Sequence, residues 1–102
     1  MERLIQLAKV FSDLNRLKIL ILVLRDRAVC VCEICDTLEL SQPLVSRHLK
    51  QMREASILES RQAGTWVIYS LMANPDSALT CWIEEARKHF SSLPILITCN
   101  TK

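Results

Sequence analysis

The sequence predicts a mainly α-helical domain carrying one small β-hairpin. Three observations lead there. Apolar residues recur at intervals of three and four along most of the chain, the period of an amphipathic helix. Half of the 102 residues are hydrophobic and only one is glycine, which favours helices with few tight turns. That glycine, Gly64, stands between two short extended-type runs, where a hairpin turn needs a positive φ. The length sets the scale at one small domain.

Each element has its own warrant. Leu4, Leu7, Ala8 and Phe11 mark a first helix by their i, i+3, i+4, i+7 spacing. Ser12 and Asp13 are N-cap residues for a second helix from about Leu14 to Arg25, apolar on nearly all sides and therefore expected in the core. A short third helix is expected from about Val31 to Leu38, with Glu39-Leu40 as the turn. Ser41 caps a fourth helix, and Pro43 is tolerated in its first turn, where backbone donors lack intrahelical partners. Val45, His48, Leu49 and Met52 form its inward stripe, while Pro43, Ser46, Arg47 and Lys50 face outward. Extended runs follow at Ile57 to Arg61 and Thr65 to Leu71, joined by Gln62-Ala63-Gly64. A last helix starts near Pro75-Asp76 and runs to about Phe90 on the stripe Leu79, Trp82, Ile83, Ala86 and Phe90. The expected division is a domain over residues 1–92 and a short tail over 93–102. No repeat, low-complexity stretch or linker interrupts it.

Two helices joined by a short turn and followed by a hairpin make a winged helix-turn-helix, in which the second helix of the pair enters the major groove of DNA. The outward stripe suits that task. Arg47 can pair with guanine or phosphate, Gln42 and Ser46 can hydrogen-bond base edges, and Ser41 stands at the helix start. Lys50 and Arg53 can neutralise phosphates, and Arg61, Gln62 and Thr65 put polar groups on the wing. His48 falls near the buried stripe, so it is read as packed or touching phosphate. The formal charge of +2 is too small to argue for nucleic acid by itself, and a solvated helix face would carry similar charges. The order of the elements favours the DNA reading.

Cys30-Val31-Cys32-Glu33-Ile34-Cys35 packs three cysteines into six residues just before the DNA-reading helix. Three sulfurs that close can enclose one soft ion, so the layout is that of a metal- or metalloid-responsive switch. Five cysteines is an odd number, and Glu2, Arg3, Lys9 and Asp13 interrupt any signal-peptide core. The longest apolar run, Ile19 to Leu24, is too short to span a bilayer. The expectation is a reduced cytoplasmic protein without a membrane partner, where clustered cysteines bind metal or react. Cys81 and Cys99 are read as small hydrophobes. A Cys32/Cys35 redox pair is the rival reading, but it lacks a strand-helix-strand setting and leaves Cys30 unexplained. No catalytic pairing of carboxylates is expected: Glu84 and Glu85 are adjacent on an exposed face, and the chain is read as no enzyme.

Ser41-Gln42-Pro43-Leu44-Val45-Ser46-Arg47-His48-Leu49 resembles the recognition helix of ArsR/SmtB repressors. The wing Gln62-Ala63-Gly64-Thr65-Trp66-Val67-Ile68-Tyr69 and the helix opening Asp13-Leu14-Asn15-Arg16-Leu17 are similar to theirs as well, so the resemblance covers about Leu4 to Phe90. The cysteine run matches the Cys-Val-Cys-x-x-Cys of the arsenic-responsive branch. The resemblance implies a homodimeric repressor in which Cys30, Cys32 and Cys35 bind As(III) or Sb(III) and the protein then leaves a near-palindromic operator. It also implies that the first and last helices form the dimer interface. Cd(II), Pb(II) or another thiophilic ion, with Cys81 or Cys99 as fourth ligand, is the alternative inducer.

The chemistry agrees. As(III) is soft and three-coordinate, whereas tetrahedral zinc wants four ligands. Cys32 near a helix start is expected to ionise more readily. Cys32 and Cys35 share a helical face, while Cys30 and Cys32 would point apart in a regular helix, so closure on one ion should distort the helix start. The chain departs from the family at three places. Ser56 stands where many members have glycine, at a left-handed cap costlier for serine. Asp76 is followed by Ser77-Ala78 instead of the Asp-x-His of the zinc-sensing branch. The tail ending Ile97-Thr98-Cys99 has no assigned role.

Overall fold

The computed structural model describes residues 1–98. Its elements, in chain order, are α1 (Glu2–Phe11), α2 (Leu14–Asp26), β1 (Ala28–Cys30), α3 (Val31–Leu38), α4 (Gln42–Glu54), β2 (Leu58–Ala63), β3 (Trp66–Leu71), α5 (Ser77–Ala86) and a 3-10 turn, Arg87–Ser92. This is the expected winged helix-turn-helix, with α3 and α4 as the helix pair and β2–β3 as the wing.

The caps operate as their side chains suggest. Asp13 Oδ1 accepts from the amides of Asn15 at 2.8 Å and Arg16 at 3.1 Å, starting α2. These amides, Arg16's above all, hold the Asp13 carboxyl below the usual carboxylate range. Ser41 starts α4 and Asp76 starts α5 in the same way, through the amides of Leu44 and Leu79. The apolar α2 buries Ile19 through Leu24 in unbroken succession and forms the centre of the core. The inward stripe of α4 is buried throughout.

Four features differ from the expectation. First, the sheet has three strands in the order β1-β3-β2, because Ala28, Val29 and Cys30 pair antiparallel with Ser70, Tyr69 and Ile68. A three-residue strand is too short to show alternation, and its partner lies far along the chain. Second, the wing turn is shifted by one residue: Ala63 pairs with Trp66, leaving Gly64 (φ 63°) and Thr65 as a two-residue loop.

Third, α5 stops at Ala86, and the 3-10 turn is broken at His89. The Arg25 guanidinium draws the carbonyls of Phe90, Leu93 and Pro94 toward α2, at 3.2, 3.1 and 2.6 Å, so the chain turns inward instead of continuing as a helix. Fourth, the stripes of α1 and α5 meet largely within one chain. Leu7, Phe11, Leu79 and Ile83 are buried there, and the Phe11 and Trp82 rings lie 4.8 Å apart. Leu4, Ile5 and Leu14 remain exposed. No helix among the described residues is long and apolar enough to cross a membrane.

Candidate nucleic-acid interface and thiol site

On α4, Gln42, Ser46, Arg47 and Lys50 are exposed together, and on the wing so are Arg61, Gln62 and Thr65. Arg47, Lys50 and Arg61 join no ion pair among the described residues, so their charge is available to an anionic partner. Other candidates have local duties. Ser41 is the N-cap, Gln62 Nε2 donates to Gly64 O across its own turn at 2.9 Å, and Arg53 Nη1 donates to Ser60 Oγ at 3.3 Å, tying α4 to the wing.

His48 takes the packed place that the inward stripe predicts. It is buried, turned toward the start of α2, with Nε2 3.9 Å from Asp13 Oδ1 and Nδ1 3.4 Å from Arg16 Nη1. The same Arg16 donates to the last carbonyls of α1, Val10 O at 2.7 Å and Lys9 O at 3.2 Å, and to Gln51 Oε1 at 3.0 Å. One guanidinium thereby joins α1, α2 and the recognition helix. Sequence reasoning used Arg16 only as part of a family motif, since its role depends on residues distant in the chain.

The cysteine run folds differently from a continuous helical stretch. Cys30 ends β1 and is also the N-cap of α3, in an extended conformation (φ −97°, ψ 167°). Its amide donates to Glu33 Oε1 at 3.0 Å and its sulfur accepts from the Glu33 amide, a reciprocal capping box. Because Cys30 lies outside the helix proper, its sulfur does not point away from that of Cys32; the two are 3.4 Å apart. The expectation that these two diverge is overturned.

Cys35 lies one turn further along α3. No three histidine, cysteine or acidic side chains among the described residues converge as a cation site. Burial first, and then the neighbouring Asp36 charge, push the Cys35 thiol up from its ordinary value. Cys30, Cys35 and Cys81 are thiols, whereas Cys32 is disulfide-bonded. All three cysteines of the run nonetheless line one cavity of about 540 Å³ together with Asp36, Gln42 at the start of the recognition helix, and Thr65 and Trp66 of the wing. Cys81 is exposed on α5 and does not line it. Cys99 lies outside the described residues.

Comparison with known proteins agrees with this geometry. Residues 13–60 match the bacterial regulatory proteins of the arsR family. The chain is 49% identical over 63 residues to the arsenic resistance transcriptional regulator ArsR1 of Pseudomonas putida, spanning 62% of this chain and about half, 49%, of that protein. It is 40% identical over 82 residues to the arsenical resistance operon repressor of Escherichia coli, covering 80% of this chain and 70% of the repressor. The cadmium resistance regulatory protein CadC of Listeria innocua is 33% identical over 61 residues, 60% of this chain and 51% of CadC. Among solved structures, reduced HlyU from Vibrio cholerae superimposes with a TM-score of 0.75 at 28% identity, over 87% of this chain and 90% of HlyU. The chain belongs to the ArsR family of bacterial regulatory proteins.

Proposed function

We propose that the chain is a homodimeric transcriptional repressor of the cytoplasm. It binds operator DNA through α4 and the wing, and it is released when As(III) or Sb(III) is captured by Cys30, Cys32 and Cys35. The observation that carries this reading is the shared cavity: the three cysteines open onto the same space as Gln42 of α4 and Thr65 of the wing. Residues 1–92 serve as the DNA-binding and dimerisation unit. Arsenical relatives at 40% and 49% identity support the choice of inducer.

The donor set suits such an ion. Three soft sulfurs match a three-coordinate soft acceptor, while zinc would want a fourth ligand. Capture of arsenous acid exchanges three As–O bonds for three As–S bonds, and the three thiol protons leave with the hydroxyls as three waters. Cys32 takes part only after a dithiol reductant has converted its disulfide to two thiols and is itself oxidised to a disulfide. Cys30 and Cys32 already approach each other, and Cys35 opens onto the same cavity to supply the third sulfur.

Capture also competes with structure. The Cys30 sulfur caps α3, and its backbone pairs with Ile68 of the wing strand. Drawing that sulfur onto an ion loosens the helix start and shifts the strand behind the wing. The DNA-bound state is favoured only while the trap is empty, which is the differential affinity a switch requires.

The test uses fully reduced protein on a duplex it enriches from a random pool, followed by fluorescence anisotropy. As(III) and Sb(III) should release the DNA at far lower concentration than Cd(II) or Zn(II). Cys30→Ser, Cys32→Ser and Cys35→Ser should each bind DNA and lose much of the release, while Cys81→Ser and Cys99→Ser respond like the parent. Full release in Cys32→Ser would remove the three-thiolate mechanism. Release by Cd(II) at the lowest concentration would assign the site to the cadmium-type inducer instead.

A further inference from the structure

Arg3 of α1 makes four hydrogen bonds, to its own helix and to two other parts of the chain. Its Nε donates to Asp76 Oδ2 at 2.7 Å, its Nη1 to Gln6 Oε1 at 2.6 Å and also to Ala55 O, and its Nη2 to Ser56 O at 3.4 Å. Asp76 is the N-cap of α5, and Ala55 and Ser56 are the exit of the recognition helix. A single side chain thus joins the start of α1, the start of α5 and the end of α4.

The exit that Arg3 holds is a strained one. Ser56 has φ 56°, and the amides of Ser56 and Ile57 reach back to Arg53 O and Met52 O at 3.0 and 2.9 Å, the double bond pattern of a left-handed helix stop. That stop orients two carbonyls away from the helix, where only an outside donor can satisfy them. Arg3 supplies the donors and places its positive charge at the negative end of the α4 dipole. Ser56 leads directly into Ile57 and β2, so the same junction fixes the angle between the recognition helix and the wing. The fork of a guanidinium is needed to reach acceptors on separate elements, which a lysine ammonium could not do with one nitrogen.

We propose that Arg3 is a positioning residue for DNA binding: it sets the recognition helix and the wing at the angle that fits the groove, and links that angle to α1 and α5. This rests on the DNA-binding reading above. Arg3 acts through the Ala55–Ser56 junction and touches no DNA itself. Its loss should therefore reduce discrimination between sequences more than general attraction to phosphate.

The experiment compares parent, Arg3→Ala, Arg3→Lys and Asp76→Asn by anisotropy on the duplex enriched from a random pool and on a scrambled duplex, across a range of salt. Thermal unfolding and sedimentation are run alongside. Arg3→Ala is expected to bind the enriched duplex about tenfold more weakly, with scrambled-duplex affinity and the salt slope unchanged. Arg3→Lys should recover little. Asp76→Asn keeps an N-cap acceptor and removes the charge facing Arg3, so it should show a smaller loss of the same kind. An unchanged ratio between the two duplexes in Arg3→Ala would overturn the proposal. So would a parallel loss on both with a shallower salt slope, which would make Arg3 a phosphate contact. If Arg3→Ala does not fold, Asp76→Asn decides: a reduced ratio supports the proposal and an unchanged one overturns it. A parent without preference for the enriched duplex would refute the DNA-binding reading before any variant is compared.

Discussion

Arg47 and Lys50 stand three residues apart on the exposed face of α4, yet their removal should have different consequences. Arg47→Ala should weaken binding to the enriched duplex and relax base preference, since a good base contact is worth about 1–3 kcal/mol. Lys50→Ala should weaken all sequences alike and reduce the slope of affinity against salt by about one. Anisotropy titrations at several salt concentrations separate the two, and unchanged affinity in both variants would take this helix out of the groove. Ser56 bears on stability. Its left-handed backbone costs about 1–3 kcal/mol for a non-glycine residue, and glycine returns about 0.4–1 of that through a more flexible unfolded chain. Ser56→Gly should raise stability by about 1 kcal/mol, seen as a melting temperature higher by about 4–8 °C. A lower midpoint would show that the junction carries no strain. The Ser56 conformation was legible through the family resemblance, in which glycine often holds that place. The duties of Arg3 and Arg16 were not, because their acceptors are brought close only by folding.

Among the elements, α3 has the most specific consequence, because a cysteine caps it. Serine is a preferred N-cap residue and alanine a poor one. Cys30→Ser should therefore be at least as stable as the parent, and Cys30→Ala less stable by about 1 kcal/mol, with both losing much of the arsenic response. Denaturant unfolding checks the first part and anisotropy under As(III) the second. Equal stability of the two variants would show that the sulfur's bond to the Glu33 amide contributes nothing. The extent of α3 was legible in the sequence, about Val31 to Leu38, and the structure gives those bounds. What helical spacing does not reveal is the direction of the Cys30 sulfur, which lies just before the helix. The capping box that turns it toward Cys32 needs Cys30 in β1, and β1 exists only because β3 is there to pair with it.

For the whole molecule, the question is what covers the apolar surface that one chain leaves. Leu4, Ile5 and Leu14 are 59%, 54% and 64% exposed, clustered on α1 and at the start of α2. Burial against a second copy is the expected remedy, with isologous contacts about a two-fold axis. Sedimentation should give a dimer at micromolar concentration, and Leu4→Asp with Ile5→Asp should give monomers that bind DNA poorly. A parent monomer at that concentration would refute the assembly. Two copies of α4 then imply half-sites about 34–36 Å apart, one helical turn of DNA.

The sequence by itself determined the parts whose causes lie within a few residues. Helical period, the caps Asp13, Ser41 and Asp76, the hairpin around Gly64 and the three clustered cysteines all belong to that class, because each depends on contacts one turn away. With them came the winged helix-turn-helix and the exposed polar stripe of α4. Only the tertiary structure decided the rest. It added β1, stopped α5 at Ala86 through the reach of Arg25, and chose Asp13 and Arg16 as the neighbours of His48. It packed Phe11 on Trp82 within one chain. It brought Cys30 to Cys32 and opened the three cysteines onto a space shared with α4 and the wing. The physical reason is the same in each case: these arrangements are set by partners distant in the chain, and a local pattern carries no record of which distant groups will satisfy a strand edge, a carbonyl or a guanidinium.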